Sequence, residues 1–152
     1  LAVAVAEQLA RLLPDQKKRV AERLGVFLSS LDEVDRRNMQ RLREISSRAF
    51  VAFHDGYGEY VSHYQLNQVA SVTLVPDEHI SAKKLAGLKK KVVGSRCLIA
   101  EENEVSLAKR YAKVLDLPVE AVDLLAVNSP DASYEQYLSN VTDAFVRCLS
   151  IR

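Results

Sequence analysis

The sequence predicts an α/β fold: a four-stranded parallel sheet flanked by helices on both faces, preceded by a long helix. Three observations carry this reading. From residue 49 onward, short apolar runs alternate with helical segments in the order β-α-β-α-β-α-β-α, and strict alternation implies a parallel sheet closed by right-handed crossovers. The first run, AFVAF, is apolar throughout, as a strand covered on both faces must be. Between about residues 16 and 46, apolar residues recur every three to five positions, the period of one helical face.

Composition bounds the remaining possibilities. The chain has 152 residues, 48% hydrophobic and 27% charged, which is globular and excludes wholesale disorder. No stretch approaches the ~18 uncharged apolar residues of a membrane span. With 21 basic and 20 acidic side chains the net charge is +1, and no basic excess marks a nucleic-acid binder. Two cysteines are too few for a disulfide-dense mini-fold or a four-cysteine zinc site.

The elements follow in order. Residues 2–13 form a helix that breaks at Pro14, because proline cannot continue an interior ladder and restricts Leu13. The next helix runs from about Gln16 to about Ser46, with Val20, Leu24, Phe27, Leu28, Leu31, Val34, Met39, Leu42 and Ile45 on one face. Roughly 30 residues span ~45 Å, which suits a coiled-coil arm or a spine between two lobes. Its basic residues, Arg36, Arg37, Arg41 and Arg43 among them, read as a solvated surface. Strands are predicted at 49–53, 69–75, 96–100 and 119–127, and helices at 57–65, 81–92, 101–116 and 134–149. Ser81 and Ser133 are the expected N-caps. The chain opens on Leu1, with apolar positions broken by Glu7, Gln8 and Arg11; this reads as the interior of a longer precursor and says nothing about compartment.

Ligands of such sheets sit at the carboxyl ends of the strands, so the residues at those ends are the first candidates. His54 follows the first strand directly in FVAFHDGYGEY. Its imidazole is either a ligand for a borderline metal or a hydrogen-bonded loop-end histidine. His63, beside Tyr64 in a helix, reads as surface, and His79, beside Asp77 and Glu78, as an exposed loop residue. Glu101, Glu102 and Glu104 stand at a helix start, where carboxylates suit the dipole, and that role is preferred to metal ligation. Gly56 and Gly58 give one G-x-G without a third glycine. No phosphate-binding loop, dinucleotide fingerprint or nucleophile elbow is present in the sequence. Cys97 and Cys148 are either two buried thiols or one bridge tying the last helix to the sheet.

The segment Phe53-His54-Asp55, Tyr57-Gly58 and Tyr60, followed by Gln65-Leu66 and Pro76-Asp77, resembles the F-H-D-x-Y-G pattern of bacterial zinc-binding receptors of ABC uptake transporters. The resemblance continues through Cys97-Leu98-Ile99-Ala100-Glu101 and Ser133-Tyr134-Glu135-Gln136-Tyr137-Leu138, takes in Cys148, and covers essentially the whole chain. It implies that residues 1–13 end a helix of an N-terminal lobe, 15–47 form the long helix linking the lobes, and 48–152 form a Rossmann-like C-terminal metal-binding lobe.

The same resemblance implies a periplasmic receptor that binds Zn²⁺ between its lobes and delivers it to a permease, without catalysis. His54 is the ligand it assigns to this lobe, with two further histidines from the N-terminal lobe. Zinc wants about four donors, so this chain by itself is expected to hold zinc weakly or not at all. Related manganese receptors place an aspartate after the fourth strand; Leu125 or Asn128 stands there in this reading, and neither is a good zinc ligand. The matching cysteines imply a Cys97–Cys148 disulfide. The expected partners are the N-terminal lobe and the permease, with a homodimer through the long helix as a further possibility and no nucleic acid. Two other readings stand beside this one: a manganese or iron relative, and an unrelated doubly wound enzyme domain with a helical dimerisation arm.

Overall fold

The computed structural model describes residues 1–73 and 80–151. The predicted loop at 76–79, including His79, lies outside them. The chain divides into two compact units, Leu1–Arg37 and Asn38–Arg152. The first holds helix α1 (Ala2–Leu12), a 3-10 turn at Pro14–Gln16 and most of α2 (Lys17–Arg43). The break expected at Pro14 is therefore present, and α2 is 27 residues long, about 40 Å of helix.

The second unit holds strands β1 (Ala49–His54), β2 (Asn67–Thr73), β3 (Leu98–Glu101) and β4 (Val119–Val122). Its helices are α3 (Gly58–His63), α4 (Ala82–Lys91), α5 (Val105–Leu115) and α6 (Tyr134–Ser150). The strands form one parallel sheet in the order β2-β1-β3-β4. The alternation of side chains along β1 explains its apolar sequence. Phe50 and Ala52 pack with Ile99, Phe145 and Leu149 on one face, while Val51 and Phe53 pack with Leu98, Ala100, Ala108 and Ala112 on the other.

The crossover rule explains which helix goes where. The chain leaves β1 for β2 on one side, then passes back over β1 to β3 and on to β4. With every crossover right-handed, α3 must lie on the face opposite α4 and α5. The packing agrees: Tyr57, Tyr60 and Tyr64 join the α6 side, and Leu85, Leu88, Ala108, Ala112 and Leu115 the other. The winding reverses between β1 and β3, so the crevice outside their carboxyl ends is where this topology places a ligand.

Ser81 Oγ accepts from the Lys84 amide and Ser133 Oγ from the Gln136 amide, each at 3.2 Å, as expected of N-caps. Cys97 and Cys148 are disulfide-bonded, with Cα atoms 5.5 Å apart and both residues fully buried. The bridge ties α6 to the residue that precedes β3.

Several expected boundaries move by two or three residues, as where β2 starts at Asn67 and β3 at Leu98, and two of the shifts lie at strand carboxyl ends. Glu101 is not in a helix but is the last residue of β3; a 3-10 turn at Glu102–Glu104 precedes α5. β4 stops at Val122, five residues before the expected end. There Asp123 accepts the amides of Val127 and Asn128 at 2.9 and 2.8 Å, and Ala126 turns left-handed at φ 52°. That side-chain-to-backbone closure offers the chain an alternative to continuing the ladder. Among the described residues no helix is long and apolar enough to cross a membrane.

Candidate metal centre

His54 ends β1, the strand beside the reversal point of the sheet. Its ring is largely buried and faces a carboxylate on each edge. Nδ1–H donates to Glu104 Oε2 at 2.8 Å, and Nε2 lies 3.2 Å from Glu101 Oε1. The pairing with Glu101 follows from strand register. Ala52 of β1 is level with Ile99 of β3, so two residues further along His54 and Glu101 leave the same face of adjacent strands. Glu104 reaches the other nitrogen from the 3-10 turn that follows β3.

Gly56 closes the loop over the ring, its amide donating to His54 O at 3.0 Å. A Cβ at this position would stand 2.5 Å from Nε2, so only glycine keeps the space beside that nitrogen clear. Gly58 has no such neighbour; of the G-x-G pair only the first glycine is demanded by the site. Tyr57 stacks obliquely on the imidazole, ring centroids 5.8 Å apart. Its hydroxyl is buried and has no hydrogen-bond partner among the described residues. Burial, and then the charges of Glu101 and Glu104, hold this phenol well above the ordinary tyrosine range.

The nitrogens leave opposite edges of the imidazole, so Glu101 and Glu104 cannot grip one ion together through that ring. Among the described residues no group of three or more His, Cys, Asp or Glu side chains is arranged to hold a metal. What the arrangement shows is one largely buried imidazole held between two carboxylates, Glu104 on the Nδ1 edge and Glu101 on the Nε2 edge.

The other sequence-selected residues lie elsewhere. His63 is exposed, its ring against Tyr64. Leu125 is 71% exposed, and Asn128 is used through its backbone amide. β4 ends at Val122, and Asp123, which follows it directly, accepts the Val127 amide on one oxygen and the Asn128 amide on the other. A groove of about 590 Å³ between β2 and α4 contains none of the site residues. A smaller one of about 470 Å³ runs along residues 55–60 and Leu124 at the strand ends. The sequence reading gives Glu101 and Glu104 a helix-dipole role; the structure adds that both carboxylates reach the His54 ring. The signal that identifies them is strand adjacency: Glu101 ends the strand that pairs with β1.

Similarity to known proteins bears on this site. The chain is 29% identical over 151 residues to the high-affinity zinc uptake system protein ZnuA of Haemophilus ducreyi, covering 96% of this chain and 49% of that protein. It is 28% identical to ZnuA of Haemophilus influenzae, covering 99% and 46%. The zinc-binding protein AdcA of Streptococcus pyogenes is 29% identical over 112 residues, 72% of this chain and 22% of that protein. Among solved structures, the laminin-binding protein Lbp of Streptococcus pyogenes superposes with a TM-score of 0.81 at 21% identity, covering 97% of this chain and 60% of that one. A crystal structure of ZnuA gives 0.78 at 22% identity, covering 97% and 55%. At these identities the structural likenesses establish the fold. The chain spans about half the length of the curated relatives it matches most fully. Residues 1–148 match the family described as "Zinc-uptake complex component A periplasmic", and the chain belongs to that family of solute-binding receptors.

Proposed function

We infer that this chain forms the C-terminal lobe of a periplasmic receptor that captures Zn²⁺ and presents it to an ABC permease, binding its cargo without transforming it. The observation that carries the reading is His54: an imidazole at the reversal point of the sheet, with Nδ1 2.8 Å from the Glu104 carboxylate and Nε2 facing the strand-end crevice beside Glu101. A carboxylate on the far nitrogen fixes ring and tautomer and raises the basicity of the donor, the usual support for a zinc-bound histidine. Imidazole suits zinc better than it suits manganese, which prefers oxygen donors. The buried disulfide fits an oxidising compartment such as the periplasm.

Two histidines from an N-terminal lobe complete the donor set in this reading, so the chain alone holds zinc weakly. Leu9 and Leu12 of α1 are exposed; the N-terminal lobe covers them, and a homodimer through α2 is the alternative that sedimentation distinguishes. The test of function is His54→Ala in the two-lobed receptor. Zinc affinity measured by calorimetry should fall at least ~10-fold, and an unchanged affinity removes His54 from the site.

A further inference from the structure

We propose that the layer formed by helices α4 and α5 is an electrostatic docking face for an anionic lipid bilayer. It concerns a side of the sheet and not the ends of its strands, and it does not depend on how His54 is used.

The first observation is the distribution of charge. α4 and α5 touch one another and cover one face of the sheet, with Leu85, Leu88, Ala108 and Ala112 turned inward. α4 carries five lysines, α5 two lysines and an arginine, and neither helix has an acidic residue. All eight cations are exposed. On the other face, α3 and α6 carry three acids and one arginine. The whole chain has a net charge of only +1, so the remainder of it is negative in balance. Helical periodicity aims the cations outward. Lys83 and Lys90 stand two turns apart on α4, and Arg110 and Lys113 lie across α5 from the buried Ala108, Ala112 and Leu115.

The second observation is the kind of cation. Seven of the nine lysines in the chain lie in these two helices, which hold one of its twelve arginines. Arginine is enriched at protein–protein interfaces, where its planar fork binds carboxylates in pairs, and lysine is depleted there. A lysine ammonium is a hydrated point charge on a flexible stem, suited to diffuse attraction toward a plane of phosphates. Clusters of about four to eight such cations on amphipathic helices are what peripheral attachment to anionic lipid uses. The third observation is apolar. Val93, just past the last turn of α4, is 82% exposed, and Val114 of α5 is 45% exposed. Apolar side chains set among cations gain burial when they reach the boundary between headgroups and acyl chains.

Each cation near an anionic membrane strengthens partitioning about fivefold. The test uses the two-lobed receptor, sedimented with vesicles of phosphatidylcholine containing phosphatidylglycerol and with vesicles of phosphatidylcholine alone. It should bind the former at ~0.01 M salt, ignore the latter, and be released at ~1 M salt, where screening is complete within ~3 Å. Replacing four exposed cations together, Lys83→Gln, Lys90→Gln, Arg110→Gln and Lys113→Gln, should weaken partitioning at least about a hundredfold and leave zinc affinity unchanged. A second set, Lys89→Gln, Lys91→Gln and Lys109→Gln, should weaken it at least about tenfold and serves where the first does not fold. Removing the same charge from α2, with Lys17→Gln, Arg19→Gln, Arg36→Gln and Arg37→Gln, should change it less than about twofold. No binding to the anionic vesicles at low salt overturns the proposal, as does an equal loss in the α2 variant. If the receptor binds only phosphatidylcholine vesicles that carry the permease, and the α4–α5 variants weaken that, the partner is an acidic protein surface and the proposal fails. The zinc-receptor reading survives each of these results, because it stands or falls with His54→Ala.

Discussion

Reducing the Cys97–Cys148 bridge without changing any residue should cost the C-terminal unit about 4 kcal/mol. The two cysteines are 51 positions apart. In the chain-entropy account, closing a loop of that length removes about 14 cal/mol/K from the unfolded chain, or about 4 kcal/mol at 25 °C. Domains of ordinary stability have only about 5–15 kcal/mol in total, so the reduced protein should be a marginal one. Both cysteines are fully buried; reductant therefore reaches them only through opening, and reduction has to be carried out in denaturant before refolding with reductant present. Urea unfolding followed by circular dichroism is the assay. With a slope of about 2 kcal/mol/M, the midpoint of the reduced form should fall by about 2 M. Thiol counting on unfolded, unreduced protein should find none. Two reactive thiols, or midpoints that coincide, would refute both the bridge and the compartment argument built on it.

Two further outcomes are expected. Gly56→Ala places a methyl 2.5 Å from Nε2 and 3.0 Å from Cδ2 of His54, about 1 Å inside ordinary contact. The ring or the loop must yield, at about 1–3 kcal/mol, and zinc affinity of the two-lobed receptor should fall at least ~10-fold; a variant with wild-type affinity and melting temperature would show that the space beside Nε2 is not needed. Alkaline stability should also decline. Burial holds the phenols of Tyr57 and Tyr60 above the ordinary value of 10.0. A group raised in the folded state gives stability that is complete below the unfolded pKa and is lost as pH rises toward the folded one. Melting temperature should therefore drop as pH rises above about 10, less steeply in Tyr57→Phe, and equal slopes would remove Tyr57 from the explanation.

The fold was legible because its signals are local. AFVAF suited a doubly covered strand, Pro14 a break or kink, and Ser81 and Ser133 cap the helices that follow them. The strand count and the parallel order followed from alternation alone. The end of β4 was not legible, because Val119–Val127 carries apolar residues beyond the point where Asp123 folds back onto two amides; composition cannot show a side chain competing with a ladder. His54 was legible by position after an apolar run. Its two carboxylates were not, although Glu101 and Glu104 stand in the sequence as plainly as the histidine. Their role depends on β3 lying beside β1, a fact of strand order that enters only once the crossovers are traced.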